Sequence, residues 1–219
     1  MAKLYVVGVG PGDPELITVK AMKILRGVRV LVFPGKRAFK VVESFLSDDK
    51  EILFFNFPMV EDEGQKREAA HTFAQKILEY LNREEVSFFT LGDPGLYSTA
   101  GYLLEALKQL GFAGDIEIVP GINSFSLAAA KSFFNLAFED EKVEILSTLP
   151  EDFTFEPKTT YVFLKLSSYY DRFVELVKEA KIQGYYFKEL GTEEEKICSF
   201  NELPEKTGYF SLALAKRGN

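Results

Sequence analysis

Two Gly-Asp-Pro tripeptides each stand just past a short apolar run. Gly12-Asp13-Pro14 follows Leu4-Tyr5-Val6-Val7-Gly8-Val9, and Gly92-Asp93-Pro94 follows Val86-Ser87-Phe88-Phe89-Thr90. Apolar runs of this length bounded by turn residues read as strands. Glycine lets the backbone pass close to a ligand, proline fixes φ and removes an amide donor, and aspartate adds a carboxylate or a local cap. Two strand ends of one kind point to ligand-facing loops along one edge of a sheet.

The rest of the chain fits that reading. Runs at 3–9, 28–33, 51–55, 86–91 and 116–119 read as strands, and most of the intervening segments have helical spacing. After the first strand, Asp13 suits a helix cap and Pro14 the first helical position, with Ile17, Ala21, Ile24, Leu25 and Val28 recurring on one face. Residues 64–82 place Ala70, Phe73, Ala74, Ile77, Leu78 and Leu81 on one side, and 97–110 do the same with Leu103, Leu104, Ala106, Leu107 and Leu110. This alternation predicts an α/β fold with a mostly parallel, helix-covered sheet, whose ligands collect at the carboxyl ends of the strands.

The pattern changes after Pro120-Gly121. A small-residue helix from Ser124 to Ala130 precedes strands near 142–147, 160–165, 184–190, 195–198 and 208–214, with one clear helix at 169–180. We expect two α/β domains, 1–115 and 116–219, and a small-molecule site in a cleft between them.

Composition excludes several functions. The formal charge of −7 argues against non-specific nucleic-acid binding, which needs a basic face. Lys36, Arg37 and Lys40 nonetheless form a local basic group after Phe33-Pro34-Gly35. With Cys198 and His71 each the sole residue of its type, no internal disulfide and no Cys/His metal cluster is expected; His71 reads as surface and Cys198 as core. No apolar run approaches the roughly 20 residues of a membrane helix, and Met1-Ala2-Lys3 leads straight into a strand, so we expect no membrane partner and a cytoplasmic protein.

Gly8-Val9-Gly10-Pro11-Gly12-Asp13 invites comparison with a dinucleotide fingerprint. Its third glycine comes one position early, and Pro11 removes an amide from the phosphate cradle. A phosphate-binding P-loop is excluded because no Gly-Lys-Ser/Thr follows.

The residues carry a different resemblance. The stretch Val7-Gly8-Val9-Gly10-Pro11-Gly12-Asp13-Pro14-Glu15-Leu16-Ile17-Thr18-Val19-Lys20-Ala21, then Gly92-Asp93-Pro94, then Val119-Pro120-Gly121-Ile122-Asn123-Ser124, resembles the tetrapyrrole methylases, which use S-adenosylmethionine. The likeness covers nearly the whole chain in order. Within that family, Gly92 to Thr99 with Pro120 to Ser126 look most like the precorrin-2 and cobalt-factor II C20-methyltransferases. Phe57-Pro58-Met59 and Tyr209-Phe210-Ser211-Leu212 agree, although Gly208 stands where the family usually has proline.

The resemblance implies a second domain with a mixed sheet, a cofactor folded in the interdomain cleft, a homodimer, and a small-molecule tetrapyrrole substrate. It places cofactor contacts at Pro11, Gly92, Asp93, Leu96, Ser98, Asn123 and Ser124, and at Lys165 and Gly191 in the second domain. In-line methyl transfer from a sulfonium needs alignment more than a strong nucleophile, and leaves S-adenosylhomocysteine. The methylated ring carbon must then lose a proton. Asp93, Lys165 and Tyr209 are the candidate catalytic groups, and Lys36 and Arg37 are candidates to meet substrate carboxylates. No protein-held metal is implied. Methylation at another ring position, and a non-catalytic tetrapyrrole or cofactor carrier, stay open as alternatives.

Overall fold

The structure, a computed structural model, describes residues 3–58, 62–180 and 182–217; Met59 of the Phe57-Pro58-Met59 stretch lies outside the described residues. The chain divides into two compact units, the first running through Asn123 and the second starting at Ser124.

The first unit alternates strand and helix: β1 (Leu4–Gly8), α1 (Val19–Gly27), β2 (Val30–Phe33), α2 (Lys36–Val42), β3 (Glu51–Phe54), α3 (Glu63–Leu81), β4 (Val86–Thr90), α4 (Ala100–Gln109) and β5 (Ile116–Val119). The strands lie in the order β3-β2-β4-β1-β5 and every pairing is parallel. Parallel strands joined through helices are covered on both faces, which explains why β1, β2 and β4 are apolar almost throughout. Leu4, Val6, Val30, Val32, Val86 and Phe88 pack against α3 and α4. Val7, Leu31, Phe33 and Phe89 point the other way, against α1 and α2. The loop after β1 therefore leads to a helix on one face and the loop after β4 to a helix on the other, a departure that opens space for ligands between neighbouring strand ends.

Two expectations change here. Residues 116–119 pair with β1 through Leu4↔Ile116 and Val7↔Val119, so the first unit does not end at 115 but continues through Asn123. A four-residue apolar run beside a junction reads equally well as the last strand of one domain or the first of the next; only its pairing decides. The first helix also starts later. Asp13 caps a single 3-10 turn, Pro14–Leu16, then Ile17 is extended and Thr18 caps α1, its hydroxyl accepting from the Ala21 amide at 3.1 Å. The apolar spacing runs across this break, which is why it reads as one helix.

The second unit contains α5 (Ser124–Lys131), β6 (Lys142–Leu146), β7 (Thr159–Leu164), α6 (Tyr170–Glu179), β8 (Gln183–Lys188), β9 (Lys196–Ser199) and β10 (Ser211–Lys216). Its sheet has the order β6-β7-β10-β8-β9, parallel only between β6 and β7, and is therefore mixed. Tyr161, Phe163, Tyr186 and Ala213 form one face of this sheet and bury Tyr170, Phe173 and Val177 of α6. Burial pushes the Tyr170 hydroxyl up to about 12 and raises the Cys198 thiol, which is half-buried rather than fully in the core. On the opposite face α5 lies against β10.

Candidate functional site

Because β4, β1 and β5 are adjacent and parallel, the loops that follow them emerge side by side. These are the three loops that hold the glycine-rich motifs. They meet in direct backbone contact. Gly10 and Gly92 form an isolated bridge, the Gly92 amide donating to the Gly10 carbonyl at 2.7 Å and the Gly10 amide to the Gly92 carbonyl at 3.3 Å. A Cβ on Gly121 would lie 2.1 Å from the Gly92 oxygen, and one on Gly8 would lie 2.7 Å from the Gly121 nitrogen. No side chain larger than hydrogen fits at either position.

Asp93 fastens this meeting point. One carboxylate oxygen accepts from the Gly95 amide at 2.8 Å and the other from the Gly121 amide at 2.9 Å, so one side chain closes its own turn and ties it to the loop after β5. Asp13 does only the first of these jobs, its carboxylate accepting from the Glu15 amide. The two Gly-Asp-Pro turns thus look alike in sequence and differ in reach.

Around this knot the surfaces are mixed. Pro11 is buried, and Gly92, Leu96, Ser98 and Asn123 are half-exposed. Gly92 has φ +70 with nothing within 4 Å of where a Cβ would stand, so its bare backbone faces open space. The Thr90 hydroxyl, at the last residue of β4, lies 3.0 Å from that of Ser98, while Thr99 Oγ1 is buried with no hydrogen-bond partner. Thr90, Gly8 and Gly121 escaped the sequence-based choice of site residues, although all three adjoin the motifs. Lys36 and Arg37 open α2, just past the carboxyl end of β2 and so along the same edge; Lys36 is exposed and Arg37 half-buried.

The remaining candidates belong to the second unit and gather along one edge of its sheet. Since β7 and β8 both run antiparallel to β10, their carboxyl ends adjoin its start. Lys165 follows β7 in a left-handed conformation, φ +53, rather than ending the strand. The segment containing Gly191 follows β8, and Tyr209 sits in the bend before β10 rather than within it, its ring edge-on to Phe210. The Glu189 amide donates to the Phe210 carbonyl at 2.9 Å, joining two of these segments. Gly191, φ +78, donates its amide to Glu195, which in turn pairs with Lys131 of α5 at 2.7 Å. Ser124 is the first residue of α5. Lys131 and Glu195 carried no motif, and only the fold reveals their part in holding the Gly191 turn.

Among the described residues, no group of three or more His, Cys, Asp or Glu is placed to hold a metal ion, and no helix is long and apolar enough to cross a membrane.

A family model described as tetrapyrrole (corrin/porphyrin) methylases matches residues 3–204. The chain belongs to the tetrapyrrole methylase family. Among this methylase's relatives, a cobalt-precorrin-2 C(20)-methyltransferase of Salmonella typhimurium is 33% identical over 182 residues, covering 80% of this chain and 76% of its own length. A probable cobalt-precorrin-2 C(20)-methyltransferase of Methanocaldococcus jannaschii is 37% identical over 150 residues, covering 66% of this chain and 63% of its own length. Among solved structures, uroporphyrin-III C-methyl transferase from Thermus thermophilus, complexed with S-adenyl homocysteine, superposes with a TM-score of 0.70 at 20% identity, covering 98% of this chain and 97% of that one. At that identity the likeness establishes the methylase fold with its parallel first sheet and mixed second sheet.

Proposed function

We propose that this methylase transfers a methyl group from S-adenosylmethionine to C20 of precorrin-2 or of its cobalt-bearing counterpart, in cobalamin biosynthesis. The observation that carries this reading is the convergence of the three motif loops at one sheet edge, in a chain similar to cobalt-precorrin-2 C(20)-methyltransferases.

The residues fit the cofactor. Gly92 offers bare backbone beside open space, Leu96 adds an apolar contact, and Ser98 provides a neutral polar partner. Such a set suits a ligand with an adenine ring, a ribose and a zwitterionic tail better than a polyphosphate, which needs a basic or amide-rich cradle. When bound, S-adenosylmethionine supplies an electrophilic methyl group. Pro11, Gly92, Leu96, Ser98 and Asn123 would hold it along the edge of the first sheet, and Ser124, Lys165 and Gly191 are cofactor contacts by the family resemblance.

Asp93 accepts a backbone amide on each of its oxygens, which keeps these contacts in register, so we assign it a positioning role. Lys165 and Tyr209 are the second unit's candidates to orient the ring as the methylated carbon loses its proton. Lys36 and Arg37 meet acetate or propionate carboxylates of the substrate, with Lys40 one turn further along. A homodimer acting in the cytoplasm belongs to the same reading.

Incubation with methyl-labelled cofactor and either metal-free or cobalt-bearing substrate tests it. The expected product carries the label at C20 by mass spectrometry and carbon NMR. A label at another ring carbon overturns the C20 assignment, and tight binding of both ligands without label transfer overturns catalysis in favour of a carrier.

A further inference from the structure

β4 ends on a residue that departs from the strand's own pattern. Val86 and Phe88 lie on the face that packs against α3 and α4, and Thr90, next in the alternation, shares that face. Thr90 is buried and stands in register with Gly8, and its carbonyl accepts the Val9 amide at 2.9 Å, so its backbone is fixed to β1. Valine has nearly the same shape and would avoid burying a hydroxyl, which costs free energy unless a partner is supplied. The partner is Ser98, whose Oγ stands 3.0 Å from Thr90 Oγ1 across the Gly92-Asp93-Pro94 turn. The same Ser98 oxygen accepts the Ala100 amide at 3.2 Å, where α4 begins.

Burial decides which of the two hydroxyls donates. A hydroxyl has one proton to give and two lone pairs to fill. Were Ser98 the donor, the Thr90 proton would have no partner among the described residues, although Thr90 is only 4% exposed. With Thr90 as donor, the proton left over belongs to Ser98, which is half-exposed. This second arrangement strands no polar group in the interior. It also fills both Ser98 lone pairs, one with the Ala100 amide and the other with the Thr90 hydroxyl.

We propose that Thr90 is a positioning residue for the cofactor: by donating to Ser98 it makes that hydroxyl a donor only, free to meet an acceptor of S-adenosylmethionine. The inference rests on the reading of Ser98 as a cofactor contact and adds the residue that sets its polarity. With both lone pairs occupied, Ser98 selects a ring nitrogen, a ribose oxygen or the carboxylate of the methionine tail, and has nothing to offer the cofactor's amino groups. Thr90, buried at the end of β4, acts only through Ser98.

Calorimetry with S-adenosylhomocysteine on the full chain tests this through Thr90→Val, Thr90→Ser, Ser98→Ala and the variant combining Thr90→Val with Ser98→Ala. Ser98→Ala is expected to weaken binding about tenfold, Thr90→Val about fivefold, and Thr90→Ser, which keeps the hydroxyl, by no more than about twofold. The urea midpoint of Thr90→Val is not expected to fall, because valine suits a buried strand. The combined variant is expected to bind as Ser98→Ala does, since Thr90 has nothing to act on once the Ser98 hydroxyl is gone. Either parent-like binding by Thr90→Val, or the same fold-loss from it with and without the Ser98 hydroxyl, overturns the role of Thr90 and leaves Ser98 a cofactor contact. Parent-like binding by Ser98→Ala removes Ser98 from the cofactor site and this inference with it. None of these outcomes depends on which ring carbon is methylated, because the measurement uses no tetrapyrrole.

Discussion

At the edge of the first sheet, Gly8, Gly92 and Gly121 lie so close that no Cβ fits at two of them, and the Asp93 carboxylate spans two of the three loops. At the edge of the second sheet, Lys165, Gly191 and Tyr209 come from three separate strand ends; Glu195, paired with Lys131, accepts the Gly191 amide, and the Tyr209 ring lies edge-on to Phe210. The first edge is interlocked backbone; the second is a set of side chains carried by a sheet. An interlock tolerates no added atom. A set of carried side chains tolerates more change.

That contrast sets the order of expected effects. Gly121→Ala forces a methyl group against the Gly92 carbonyl and the Gly8 Cα, and is expected to destabilise the chain by about 3 kcal/mol in urea unfolding and to abolish methyl transfer. Gly191→Ala, at φ +78, is expected to cost only about 1 kcal/mol from backbone strain. Equal losses for the two would remove the distinction between the edges.

Asp93→Ala leaves the Gly95 and Gly121 amides without their acceptor and is expected to cost about 2 kcal/mol. Asp93→Asn keeps one carbonyl oxygen and is expected to retain much more activity than the alanine variant. Equal inactivity of both, with the asparagine variant fully stable, would instead make Asp93 the proton acceptor and not a positioning residue.

Next in size is Glu195→Ala, which frees the Gly191 amide and Lys131 together and is expected to cost about 1 kcal/mol. Its signature is weaker cofactor affinity by calorimetry, with a thermal midpoint lower by only about 2–4 °C. A variant that binds S-adenosylhomocysteine as well as the parent would take the Gly191 turn out of the cofactor site.

The smallest effect lies outside both edges, on β5. Hydrogen bonds from Lys20 and then Lys3 hold the Glu117 carboxyl down to about 2, against an ordinary value of 4.5. A carboxyl depressed in the folded state contributes stability above about pH 4.5, and that contribution is lost as pH falls through about 2. Glu117→Gln is therefore expected to lower the unfolding midpoint slightly at pH 7, the pair being solvent-screened, to match the parent below about pH 2, and so to flatten the limb between about 4.5 and 2. An unchanged acid limb would show that the pair contributes nothing.

Much of the first unit was legible because its physics is local. Parallel strands buried on both faces read as continuous apolar runs, helices read through their spacing, and glycines needed for close approach stand in fixed positions beside proline. What failed there was a matter of non-local pairing or of competing caps: β5 declared its sheet only through β1, and Thr18 displaced Asp13 as the cap of the first α-helix. In the second unit, Lys165 and Tyr209 were singled out by family likeness, while their shared edge depends on β10 lying between β7 and β8.

The sequence alone determined the class of fold, the family, and the three glycine-bearing loops, since each follows from residue types within a few positions of one another. Only the tertiary structure decided what Asp93 holds, which strand closes the first sheet, and that Phe133 stands exposed at the end of α5. Those answers depend on contacts between segments 28 or more residues apart, as in the Asp93–Gly121 bond, or on which surface the finished fold leaves uncovered. No local pattern encodes either, because pairing energy is realised only once the distant partner has arrived.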